Sequence, residues 1–168
     1  MMLSGEEIIR EVEQGNIVIK PFNKNKVNPN SYNLTLDNEL IVYTDDILDC
    51  KKENNKKKII IPEEGYILLP NQLYLAKTKE YTESYNFTPQ ISGRSSIGRI
   101  GLTVHISAGF GWIGFKGSWV LGLSCVKPVK IFPGMEICQI WFFPVIGNKS
   151  IKNQSKHLND RTIINSNL

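Results

Sequence analysis

Gly93-Arg94-Ser95-Ser96-Ile97-Gly98-Arg99-Ile100-Gly101 brings two guanidiniums, two adjacent hydroxyls and three glycines into nine residues. Arginine offers a fixed fork of donors, serine a short one, and glycine lets backbone N–H groups come close. The set suits a compact anion, and phosphate is the guest it predicts. The same residues also fit a turn capped by its own serines. Leu102 to Ile106 follows directly and reads as a strand, so the anion motif is a loop feeding a sheet.

Working outward, strand signals dominate both sides. Towards the N-terminus, Tyr32, Leu34 and Leu36 alternate with polar residues, and Leu40 to Tyr43 follows an Asp37-Asn38 turn. Ile59 to Ile61, Tyr66 to Leu69 and Leu73 to Ala76 are short strands separated by Pro62-Glu63-Glu64-Gly65 and Pro70-Asn71-Gln72. Towards the C-terminus come Trp119 to Ser124, Val129 to Ile131 and Ile137 to Phe143. At the start, Ser4-Gly5-Glu6-Glu7 is a capping box and predicts a helix over residues 5–13, followed by a strand at Ile17-Val18-Ile19. Pro21 to Asn30 reads as loop, and residues 45–57 as a solvated excursion.

About ten short strands with frequent turns predict an all-β sandwich or jelly-roll-like barrel with a short N-terminal helix. A parallel α/β fold is excluded, because it needs helices of about 10–15 residues between strands. The 168 residues fit one domain over 1–146. The tail over 147–168, rich in Asn, Ser and Lys, is expected to be mobile or ordered against a ligand or another subunit.

Composition narrows the function classes. No apolar run approaches the roughly 20 residues that cross a bilayer, and the start lacks a signal-peptide pattern, so a cytoplasmic protein without a membrane partner is expected. The net charge of +4 favours anionic partners in general. Its local excess lies over Lys51 to Lys58, five lysines against one glutamate, and in the tail after Gly147; neither is interleaved with several aromatics, which argues against nucleic acid. Cys50, Cys125 and Cys138 make neither a CxxC pair nor a disulfide framework, and only His105 and His157 are available as imidazole ligands. No metal site is expected; Cys125 and Cys138 read as small core residues, and His105 as a structural histidine on an apolar strand.

Several stretches together resemble the dCTP deaminase family of the dUTPase-like superfamily. The strongest is Gly93 to Gly101 with Leu102-Thr103-Val104-His105-Ile106. Asn28-Pro29-Asn30-Ser31-Tyr32-Asn33-Leu34 is similar to the family's early strand motif, with Asn33 where Asp is usual. Leu69-Pro70 to Thr78-Lys79-Glu80 and Gly134-Met135-Glu136-Ile137-Cys138-Gln139 resemble two further segments. The resemblance implies a β-clip barrel of distorted jelly-roll type, a homotrimer, and nucleotide sites between subunits. It places Arg94, Ser95, Ser96 and Arg99 near the triphosphate and the catalytic water, and Ser107 and Ala108 at the start of the base and sugar pocket. It also implies magnesium accompanying the phosphates, without zinc or a tightly bound cofactor.

The pattern then breaks. Gly114-Phe115-Lys116-Gly117 supplies the family's Gly-aromatic-x-Gly turn, but Trp112 stands where Asp is usual and Phe110 where a basic residue is usual. Five residues past the turn, where the deaminases carry the glutamate that shuttles protons, this chain has Gly122. No Asp or Glu occurs from Ser107 to Ser124, and Glu80, Glu83 and Glu136 are the acids left to substitute across a subunit boundary. Deamination at C4 needs water activated, N3 protonated and ammonia released, and Gly122 has no side chain for it. Phe110, Trp112, Phe115 and Trp119 put four aromatics in ten residues. They predict either a base-binding pocket with Phe110 and Trp112 in it or packing in a trimer core, with Trp119 leaning to the core. Lys116 reads as a phosphate neighbour or a solvated turn lysine.

The expectation from sequence is therefore a catalytically degenerate nucleotide-binding homotrimer, a pseudoenzyme with no catalytic residue, acting by sequestration or regulation. The alternative is an active dCTP deaminase, forming dUTP and ammonia and also acting on dUTP, with a displaced carboxylate. The third is a structural or protein-binding trimer.

Overall fold

The computed structural model describes residues 1–104 and 108–147. The capping box forms as the sequence predicts: the Ser4 hydroxyl accepts from the Glu7 N–H at 3.2 Å and starts α1 (Gly5–Glu13), which buries Ile8. Ten strands follow among the described residues. They are β1 (Ile17–Lys20), β2 (Tyr32–Tyr43), β3 (Lys56–Ile60), β4 (Tyr66–Leu68), β5 (Tyr74–Ser84), β6 (Phe87–Gly93), β7 (Leu102–Val104), β8 (Phe115–Cys125), β9 (Val129–Ile131) and β10 (Glu136–Pro144). One 3-10 turn, Lys24–Lys26, lies in the expected loop, and α2 (Ser95–Gly98) forms on the Arg-Ser-Ser motif itself.

Every strand pairing is antiparallel. The main sheet runs β6-β10-β2-β5-β8-β7, with β1 added to β5 and β3 to β2, while β4 and β9 form a separate pair. The barrel is nearly closed. After β7 the chain returns along the open edge of β6, where Ile91 N–H donates to Gly109 C=O at 2.7 Å and Gly111 N–H to Pro89 C=O at 2.8 Å. Over these residues the edge of β6 is covered, through an isolated bridge between Gln90 and Phe110. The expected all-β barrel with one short N-terminal helix is what the chain builds. Tyr32, Leu34 and Leu36 of β2, Leu121 and Leu123 of β8, and Ile140 and Phe142 of β10 fill its interior, with Cys125 and Cys138 buried as read from sequence.

Three strand expectations are corrected. The Asp37-Asn38 turn does not separate two strands; β2 runs through it with a register shift between Leu36 and Leu40. The strand predicted at Leu73 to Ala76 continues as β5 to Ser84, and β6 follows where sequence gave no strand signal. The cause is a polar inner row. Thr78, Glu80, Thr82 and Ser84 point inward from β5, so the apolar alternation that marks a strand is missing. Their polar atoms are satisfied: Thr78 Oγ1 accepts from Trp119 N–H at 2.9 Å, and Ser84 Oγ donates to Phe87 C=O at 2.6 Å.

Candidate active site

The anion motif is a short helix on a tight return. Ile97 N–H and Gly98 N–H donate to Arg94 C=O at 3.0 and 2.9 Å, and Arg99 N–H to Ser95 C=O at 3.0 Å. Ile97 is the buried anchor, which leaves Ser95, Ser96 and Arg99 exposed around it. Gly101 closes the return at φ 78°, with Val126 Cγ2 only 2.3 Å from where a Cβ would stand. The exposed serines do not cap α2, whose N-cap Arg94 makes no side-chain cap bond. The capped-turn alternative therefore does not describe this loop.

Arg94 is half-buried and tied to β10. Its Nη1 lies 2.8 Å from Glu136 Oε2 and donates to the Glu136 carbonyl at 3.5 Å. Glu136 Oε2 also accepts from Asn33 Nδ2 at 3.0 Å, and Asn33 Oδ1 accepts from Asn28 Nδ2 at 2.8 Å. Asn33, where the resembled motif has Asp, thus donates to a carboxylate. Three segments singled out for separate motif likeness meet here: residues 28–34, 93–101 and 134–139.

The aromatic cluster divides in two. Phe115 and Trp119 stack with centroids 4.2 Å apart and planes at 20°, and Trp119 is buried with its indole N–H donating to Thr82 Oγ1 at 3.0 Å. Phe110 and Trp112 are 61% and 63% exposed, flanking a buried Gly111 on the segment beside β6. Phe110 leans on Phe143 at 6.4 Å between centroids. Among the described residues of the cluster the exposed pair faces solvent, Trp119 is core, and Phe115 is partly buried against it. Ala108 is exposed nearby, whereas His105 and Ser107 lie outside the described residues, as does the tail beyond Gly147.

Gly122 stands on the outward row of β8, opposite Leu75, between the inward Leu121 and Leu123. A Cβ there would meet only Leu73 Cδ1, at 3.6 Å. All three remaining acids are already engaged, Glu136 by Arg94 and Asn33. Glu80 is fully buried, accepting from Thr35 N–H and Thr35 Oγ1 at 2.8 Å each and pairing with Lys26 Nζ at 2.8 Å. Burial disfavours the Glu83 carboxylate, but the Tyr85 and Tyr81 hydroxyls and Lys116 outweigh it and hold the carboxyl below its usual range. Lys116 is held by this cluster, 4.9 Å above the Tyr85 ring and 3.6 Å from Glu83 Oε2. Its pKa is raised by the bond to Tyr85 and by Glu83, against some desolvation. Glu136 is the acid that stands beside the anion motif.

Comparison with known proteins identifies the family. The family described as dCTP deaminase-like matches residues 2–145. A protein of Clostridium acetobutylicum named dCTP deaminase, dUMP-forming, is 50% identical over 163 residues, covering 97% of this chain and 94% of its own length. One of the same name from Cytophaga hutchinsonii is 48% identical over 163 residues, with the same coverage. The chain belongs to the dCTP deaminase-like family. Among solved structures, the 2′-deoxycytidine 5′-triphosphate deaminase of Agrobacterium tumefaciens has the same fold, with a TM-score of 0.67 at 15% identity over 84% of this chain and 47% of that one.

These relatives correct the expectation of a catalytically degenerate protein. About half of all positions, over nearly the whole of both chains, are shared with proteins named as enzymes, which favours the active alternative.

Proposed function

We propose that this protein is a dCTP deaminase that forms dUMP. Two waters are consumed: one replaces the C4 amino group, releasing ammonia, and one cleaves the bond to the α-phosphate, releasing pyrophosphate. The observation that carries the reading is the 50% identity, over 97% of the chain, to a protein named for that reaction. The exposed donors of Ser95, Ser96 and Arg99, with Arg94 behind them, support triphosphate binding. Phe110 and Trp112 offer exposed ring faces to the base, near the exposed Ala108.

The substrate in this reading is the magnesium complex of dCTP, the ion travelling with the phosphates. Among the described residues no group of three His, Cys, Asp or Glu side chains is placed to hold a metal, and no helix is long and apolar enough to cross a membrane. Gly122 cannot transfer a proton, and Glu80, Glu83 and Glu136 are each held by partners within the chain; in this reading a homotrimer with sites between copies brings a neighbour's acid to the base.

The test is to incubate the purified protein with dCTP and magnesium and read ammonia, pyrophosphate and dUMP together. One of each per dCTP is the expected outcome. Binding of dCTP with none of the three products would overturn the proposal.

A further inference from the structure

Among the described residues, the Arg94 guanidinium is touched on one terminal nitrogen. Nη1 meets the Glu136 carboxylate at 2.8 Å and the Glu136 carbonyl at 3.5 Å, while Nη2 and Nε have no partner there. Half of the fork is anchored and half is open. The anchor is itself fixed from behind. Asn33, 6% exposed, donates to Glu136 Oε2 at 3.0 Å and accepts from Asn28 Nδ2, which also donates to Ser31 Oγ at 3.1 Å. Ser31 in turn donates to Gln139 Oε1 at 3.3 Å. The β10 register shifts between Glu136 and Cys138 against β2, and a bulge of this kind re-aims a side chain.

We infer that Glu136 is a positioning residue: its carboxylate, held by Asn33, locks Arg94 so that the open edge of the guanidinium is presented to the triphosphate. Arginine loses much rotamer freedom when ordered, so an anchored fork binds an anion with less left to freeze. The carboxylate's repulsion of the same anion is the opposing effect. Glu136 bonds the guanidinium directly, whereas its effect on the ligand acts past that cation and through solvent-screened, half-exposed surroundings. Orientation therefore outweighs repulsion. Asn33 belongs to the device because an amide can donate to Glu136, whereas an aspartate there would set two carboxylates against each other. The identity of the anion rests on the proposed deaminase reading; the orienting role does not.

The test compares wild type, Glu136→Ala, Glu136→Gln and Asn33→Asp by kcat and KM for magnesium dCTP. In parallel, calorimetry with inorganic tripolyphosphate and the melting temperature of each variant are measured. Glu136→Ala is expected to raise KM, and the tripolyphosphate Kd, about tenfold, with kcat within about twofold. Glu136→Gln, whose amide oxygen accepts the same bond from Arg94, keeps both near wild type; Asn33→Asp follows Glu136→Ala. If Glu136→Ala does not fold, the near-isosteric Asn33→Asp carries the same comparison. An unchanged or lowered KM on Glu136→Ala would overturn the inference, as would a fall in kcat at constant KM, which marks a proton carrier. A wild type that binds tripolyphosphate but leaves dCTP unchanged sinks the deaminase reading alone. One that binds neither sinks both.

Discussion

Trp119 and Trp112 lie seven residues apart in one aromatic-rich stretch and have opposite fates. Trp119 is 5% exposed, stacked on Phe115 and hydrogen-bonded to Thr82; Trp112 is 63% exposed. The difference follows from which row of an extended segment each occupies. On β8 the inward positions are Trp119, Leu121, Leu123 and Cys125, alternating with half-buried Ser118, Val120, Gly122 and Ser124. Ahead of β8, Gly111 takes the inward place and turns Phe110 and Trp112 out. Aromatic content alone therefore says nothing about ligand contact; the row decides it.

The sharpest break of this comparison is Trp119→Ala. It should cost about 3–5 kcal/mol, by removing a buried ring and its stacking on Phe115, measured by chemical denaturation. A loss near zero would show that the inward row is not core. Next comes Gly111→Ala. Its Cβ would stand 2.8 Å from Trp119 Cη2 and 2.9 Å from Pro89 Cγ, an overpacking worth about 1–3 kcal/mol by the same assay. Thr82→Val strands the Trp119 indole N–H and should cost about 1–2 kcal/mol.

On the outward row the stability effects shrink and the activity effects take over. Gly122→Glu meets only Leu73 at 3.6 Å and should change stability by less than about 1 kcal/mol. If proton transfer is served from this strand position, ammonia release from dCTP rises about a hundredfold, and an unchanged rate would place the shuttle elsewhere. Trp112→Ala should leave stability within about 0.5 kcal/mol while raising KM for dCTP about tenfold through lost base stacking. A stability loss matching that of Trp119→Ala would mean that another copy covers the outward row.

Much of the fold was legible because its signals are short. The Ser4–Glu7 capping box spans one helical turn, and the alternation at Tyr32 to Leu36 and from Trp119 onward repeats every two residues. β6 and the far half of β5 were not legible. Buried Thr78, Glu80, Thr82 and Ser84 look like a solvated stretch until Trp119, Lys26 and Thr35 supply their partners. At the site, the nine-residue anion motif is legible, but Trp112, Gly122 and the acid-free stretch from Ser107 to Ser124 point locally to lost catalysis, against likeness to proteins named as enzymes along nearly the whole chain.

By itself the sequence determined the all-β class, the N-terminal helix and the clustering of Arg94, Ser95, Ser96 and Arg99, since each depends on neighbours within a few residues. Only the tertiary structure decided that Glu136 meets Arg94 across 42 residues, that Ser31 meets Gln139 across 108, and that Glu80 is sealed under Lys26 across 54. Those contacts are set by antiparallel register, where moving a strand by one residue exchanges its inward and outward rows. No local pattern encodes which row will face which partner.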